Sequence, residues 1–236
     1  VLDAMIAAAG DRVRTEVTGR TAEGKEMRVL IISSPANIAR LDAIRADLAR
    51  LADPRALTKA QAADLAKTTP ALSILSHSIH GNEPAGFETS MMTAYTLLAS
   101  ESPQVKAILD NTITIINPSQ NPDGHERFAA WSNSVAVGSE EPAALEGGEP
   151  WSIAGRFNHY RFDMNRDLIA LSQAETKATA GAVRRWHPQV FVDLHSTTAQ
   201  YFFPPAAAPI NQLVPLASVK WLEAFGKGNA DAFDRQ

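Results

Sequence analysis

The stretch Ser76-His77-Ser78-Ile79-His80-Gly81-Asn82-Glu83-Pro84-Ala85-Gly86 joins an apolar run to a tight turn and a helix start. Leu72, Ile74 and Leu75 before it read as a short buried strand. Gly81-Asn82 are turn residues, and Pro84 suits the first turn of a helix, where its missing N–H costs nothing. His80 and Glu83 therefore flank a bend, and an imidazole and a carboxylate so placed can converge on one cation. Taken alone, His-x-x-Glu is weak evidence in a chain with 6 His and 26 acidic residues, and a turn histidine beside a first-turn glutamate is the plainer reading.

A third group strengthens the cation reading. Val190-Phe191-Val192-Asp193-Leu194-His195 reads as a buried strand ending on a histidine and followed by Ser196-Thr197-Thr198. The ends of parallel strands are where α/β folds gather ligands. Two histidines and a glutamate leave a coordination position open, as catalytic Zn(II) requires.

The surrounding chain supports an α/β fold. Thr112-Ile113-Thr114-Ile115-Ile116 is the clearest strand signal. Arg12 to Val17, Gly19-Arg20 and Met27 to Ile32 read as two strands about a polar turn. Val1 to Ala9 reads as helical, and Asn37 to Leu51 as one amphipathic helix through Ile38, Leu41, Ile44, Leu48 and Leu51. Asp53 to Pro70 is polar, with helical character around Gln61 to Ala66. Gly86 to Ala99 carries Phe87, Met91, Tyr95 and Leu98 on a helical stripe, with Met91, Met92 and Tyr95 expected in the core, and Pro103 to Leu109 reads as a short helix. Asn117 to Gly124 is expected to be loop because breakers cluster there. Val135 to His159 reads as a long irregular segment whose Glu140, Glu141, Glu146 and Glu149 are solvated. Ser172 to Trp186 and Leu216 to Phe233 complete the helices. Alternating strands and helices imply a mixed, mostly parallel central sheet with helices on both faces.

With 236 residues and 45% hydrophobic content, one core suffices, so 1–236 is expected to be a single domain. The balance of 22 basic against 26 acidic residues gives −4 and argues against a nucleic-acid surface. Cysteine is absent, so thiolate sites are excluded. No apolar run approaches the ~20 residues of a membrane span, and no charged-then-apolar leader opens the chain.

The order His80-x-x-Glu83, Asn121-Pro122-Asp123-Gly124, Asp163-Met164-Asn165-Arg166, then His195 closing an apolar strand resembles the zinc carboxypeptidase family. Thr18 to Leu30 also resembles that family's first hairpin, and the likeness runs from about Thr15 to Phe203. The resemblance implies one Zn(II) per chain held by His80, Glu83 and His195, with Asp163 behind His80. It implies that Asn165 and Arg166 take the terminal carboxylate of a peptide, since a guanidinium fork matches a two-oxygen anion. Asp167-Leu168 departs from the family pattern and puts a further anion beside that clamp. An oxyanion arginine is expected among Arg127, Arg156 and Arg161, with Arg127 favoured by its place after the Asn-Pro-Asp-Gly run. The family's general base, a glutamate well beyond the third ligand, is not assigned here: Glu223 sits on an amphipathic helix. The resemblance thus implies a catalytic domain lacking its C-terminal strands and base, nearly inactive alone, from an exported bacterial enzyme, periplasmic or secreted. Alternatives are a zinc deacylase or amidase of N-acyl amino acids on the same fold, or a non-catalytic metal-holding domain that binds peptides. Of the other histidines, His77 points to the opposite strand face, His125 and His159 lie in loops near the cleft, and His187 ends a helix.

Overall fold

Ile113, Ile115 and Ile116 are fully buried because their strand lies at the centre of the sheet, covered on both faces. The computed structural model describes residues 1–136, 148–196 and 211–235. The first of two units, Val1–Ser196, runs in the order α1 (Leu2–Ala9), β1 (Val13–Arg20), β2 (Glu26–Ile32), α2 (Pro35–Ala39), α3 (Leu41–Ala52), α4 (Lys59–Thr68), β3 (Ala71–His77), α5 (Pro84–Ala99), α6 (Pro103–Asn111), β4 (Thr112–Asn117), α7 (Pro122–Val135), α8 (Ala174–Trp186) and β5 (Val190–Leu194). In the second unit, Thr197–Gln236, the described helix is α9 (Leu216–Phe233).

The five strands lie in the order β1-β2-β4-β3-β5. β2 is antiparallel to both of its neighbours, while β4, β3 and β5 run parallel. The fold is therefore the expected mixed α/β sheet. One face packs Val29, Ile31, Leu72, Ile74, Ile113 and Ile115 against Ile38 of α2, Leu41, Ile44 and Leu48 of α3 and Trp186 of α8. The other packs Leu30, Ile32 and Ile116 against α1, α5 and α6. At the C-terminal end of the first face the residues turn polar: Ser76 pairs with Asn117 on one side and Asp193 on the other. This polar end forms the floor of the site.

Several expectations need correction. The helix expected over Asn37 to Leu51 breaks at Arg40 into α2 and α3. α5 buries the small residues Gly86, Ser90 and Ala94 together with Leu97 and the expected Leu98, whereas Met92 and Tyr95 are 67% and 60% exposed. The breakers at Asn121-Pro122-Asp123-Gly124 open a helix. Asn121 Oδ1 accepts from the Gly124 N–H at 3.0 Å, and Pro122 occupies the first turn of α7. Glu140, Glu141 and Glu146 lie outside the described residues, as do Thr197, Thr198 and Phe203.

Candidate metal centre

β3 delivers the bend and fixes it from within. Ser78 adopts a left-handed φ of 51° at the strand end. Its N–H donates to Leu194 O of the parallel neighbour at 3.3 Å, and its hydroxyl donates to Glu83 O at 3.0 Å. The Glu83 N–H donates back to His80 O at 3.3 Å. Pro84 then starts α5. His80 and Glu83 are 3% and 1% exposed.

β5 brings the third group from 112 residues away. Its pairing sets Leu194 opposite His77, so His195 emerges beside the bend. The donor atoms of His80, Glu83 and His195 all lie within 4.8 Å of one another. His80 Nδ1 is 2.6 Å from Glu83 Oε1, and His195 Nδ1 is 3.2 Å from Glu83 Oε2. The Ser196 N–H donates to Glu83 Oε2 at 3.0 Å. Burial would raise the Glu83 carboxyl, but His195, His80 and the Ser196 N–H outweigh it and pull it down to about 2. Asp193 and Glu83 push the His195 imidazole up to about 10. The carboxylate between two imidazoles brings one anionic and two nitrogen donors to a single point, an arrangement suited to a cation. The donor set of two nitrogens and one carboxylate, with a carboxylate behind each imidazole, fits Zn(II).

Asp163 lies behind His80, its Oδ1 3.4 Å from His80 Nε2, close enough for charge contact but long for a hydrogen bond. Arg156 donates from Nε and Nη2 to Asp163 Oδ2 at 3.0 and 2.8 Å. Its Nη1 reaches to 3.4 Å from His80 Nδ1. Burial alone would raise the Asp163 carboxyl, but Arg156 holds it below its ordinary range. Asp163 also accepts from the Asn165 N–H at 3.0 Å and so anchors the short turn Met164–Arg166. Arg166 is exposed and donates to Asn165 O at 3.1 Å.

Arg127 is placed differently from the sequence expectation. Its guanidinium donates to Ile153 O, Ala154 O, Phe157 O and Asn158 O at 2.8 to 3.1 Å, clasping the loop after Gly148. Arg161 likewise donates to Ile153 O and Ser152 O. Of the three arginine candidates, Arg156 is the one in contact with His80 and Asp163. Position along the chain could not separate them, because the loop carrying Arg156 folds back over the start of α7.

Asp167 does not present an anion to the clamp. It is 5% exposed and accepts from the N–H groups of Ser172 and Gln173, each at 2.9 Å, and from the hydroxyls of Ser172 and Thr176. Its charge is stabilised by these donors at the start of α8. Glu149, expected in solvent, accepts from Asn82 Nδ2 at 2.8 Å and from the Gly155 N–H, tying the loop to the bend. Backbone meets backbone here: a Cβ on Gly81 would lie 2.2 Å from His125 N, and one on Gly124 2.4 Å from Phe157 O.

The remaining histidines serve other contacts. His77 is 1% exposed on the far face, and burial holds its ring below the ordinary imidazole range. His125 stacks on Phe87 and contacts Gly81 O at 3.0 Å. His187 closes α8 in a left-handed conformation. His159 pairs with Glu23, and with Asp123 these form a second cluster of candidate donors, but Lys25 Nζ already stands among them, 3.0 Å from Asp123 Oδ1. Sequence reading left two site residues unassigned. Asp193 precedes His195 by two, which on a strand places both on one face. Gln120, whose Nε2 donates to Asp193 Oδ1 at 2.8 Å, gave no comparable signal.

Among the described residues, no helix is long and apolar enough to cross a membrane. The chain is 28% identical over 131 residues to "Probable carboxypeptidase 2" of Trichophyton verrucosum, spanning 56% of this chain and 20% of that protein. It is 29% identical over 152 residues to "Carboxypeptidase Z" of Mus musculus, spanning 63% of this chain and 19% of that protein. The chain thus spans about a fifth of the length of these curated relatives. Its fold matches the crystal structure of carboxypeptidase A from Helicoverpa armigera with a TM-score of 0.57 and 15% identity, covering 99% of this chain and 52% of that one. The zinc carboxypeptidase family model matches residues 1–233, and the chain belongs to that family.

Proposed function

We propose that the chain is the metal-holding part of a zinc metallopeptidase that removes residues from peptide C-termini. His80, Glu83 and His195 are the ligands of one Zn(II), and Asp163 steadies His80. When bound, the metal polarises the scissile carbonyl and acidifies a water toward neutrality. Asn165 and the exposed Arg166 orient substrate through its terminal carboxylate. Arg156 replaces Arg127 as the cation facing the oxyanion, because Arg127 is engaged by four carbonyls. The general-base role is assigned to none of the described residues. The resemblance also supports an exported, periplasmic or secreted location.

The observation that carries the reading is the convergence of His80, Glu83 and His195 within 4.8 Å from two separate strand ends. The test is calorimetric titration of the zinc-loaded chain with a short peptide and with its C-terminal amide. The free acid is expected to bind at least ~10-fold more tightly, the loss typical of a missing charged partner. Equal affinities overturn the C-terminal reading.

A further inference from the structure

His195 has two ring nitrogens with two different neighbours. Nδ1 faces Glu83 Oε2 at 3.2 Å, and Nε2 lies 3.0 Å from Asp193 Oδ2. The second oxygen of Asp193 accepts from Gln120 Nε2 at 2.8 Å. Gln120 is 3% exposed, and its own N–H donates to His77 O at 3.0 Å, so it is fixed at the end of β3. The contact at Asp193 is shorter than the one between Asp163 and His80, and no arginine shares it among the hydrogen bonds of the described residues.

We propose that Asp193, held by Gln120, is the positioning residue for His195, accepting its Nε2 proton so that the Nδ1 lone pair is left for the cation. The chemistry requires this order. A carboxylate can only accept, so a neutral imidazole bonded to Asp193 must carry its proton on Nε2. Nδ1 is then the bare nitrogen, and it already points at Glu83. Asp193 also fixes the ring plane, since β5 and the buried Gln120 both constrain it. Outer carboxylates of this kind typically contribute about 10–100-fold to metal affinity.

The proposal rests on the metal site described above, and the experiment separates the two. Zinc affinity of the full chain is measured by competition with a chromophoric chelator for wild type, Asp193→Ala, Gln120→Ala and His195→Ala. Asp193→Ala is expected to weaken zinc binding about 10–100-fold, with Gln120→Ala weaker in the same direction. In nitrogen-edited NMR of the zinc-loaded chain, the His195 Nε2 proton is expected downfield and slow to exchange, and absent in Asp193→Ala. If Asp193→Ala does not fold, Asp193→Asn keeps the volume and is expected to show a smaller loss of affinity. Unchanged affinity and a retained Nε2 proton signal in a folded Asp193 variant overturn the positioning role. Zinc retained in His195→Ala overturns the site itself.

Discussion

The Thr21 hydroxyl donates to the Asp123 carboxylate at 2.8 Å across 102 residues, joining the β1–β2 turn to the start of α7. Asp123 is 0% exposed and also accepts from the Glu23 N–H and Lys25 Nζ. Asp123→Ala strands these donors and is expected to cost about 2–3 kcal/mol, read from urea denaturation. Thr21→Ala removes one donor and is expected to cost about 1 kcal/mol.

Asp167 makes part of the stability pH-dependent. Burial alone would raise its carboxyl, but the Ser172 and Thr176 hydroxyls and two backbone N–H groups hold it well below the ordinary carboxylate range. A carboxyl whose folded value is depressed stabilises the fold fully above its unfolded value near ~4, and that contribution falls as the pH drops through the folded value. Asp167→Ala is therefore expected to lower stability by about 2 kcal/mol at pH 7 and by progressively less below about pH 4. Denaturation midpoints at pH 7 and pH 3 give the comparison. An equal loss at both values would assign the effect to packing.

Arg127 and Arg156 are expected to fail in opposite ways. Arg127→Ala releases four carbonyls and is expected to destabilise the fold by about 2–3 kcal/mol. Arg156→Ala is expected to leave stability within about 1 kcal/mol. In a catalytically competent form of the protein, the same change is expected to lower kcat by about 100-fold or more, the loss seen when one oxyanion donor is removed. Kinetics and melting of the two variants side by side check the assignment.

Zinc removal is expected to destabilise the chain by an amount that grows with the logarithm of free zinc over Kd. With free zinc 1,000-fold above Kd, the bound ion adds about 4 kcal/mol. A chelator should therefore lower Tm by roughly 8–16 °C for a chain of this size. His80→Ala is expected to melt at one temperature with or without the chelator.

Gly124→Ala is expected to cost about 3 kcal/mol, because the added carbon would meet Phe157 O at 2.4 Å and Gly155 O at 2.5 Å. Zinc affinity should fall with it, since Gly81 inside the metal bend rests on the same backbone. Stability lost with zinc affinity kept would separate the loop from the bend.

Strands were legible from their apolar and β-branched runs: Ile113, Ile115 and Ile116 mark the central, buried β4, and Val190 to Leu194 mark β5, which lies at the sheet edge and is half-exposed rather than buried as expected. The cluster at His80, Glu83 and His195 was legible because a bend and a strand end each advertise their polar residues. α7 was hidden because a helix cap, a proline and a glycine use the same residue types as a loop. The buried face of α5 was legible only in part: Leu98 is in the core as expected, but Gly86, Ser90 and Ala94 allow close approach while Met92 and Tyr95 turn outward. The choice between Arg127 and Arg156 depends on how the loop after Gly148 folds back, which no periodicity encodes.

The meeting of peptide planes at Gly81 and Gly124 leaves nothing compressible between the bend and its supporting loop. Side chains elsewhere can change rotamer to absorb a small shift, but touching backbones transmit it undiminished. A shift of Gly155 or Phe157 would therefore be felt first at Gly81 and Gly124, the backbone beside the bend that carries His80 and Glu83.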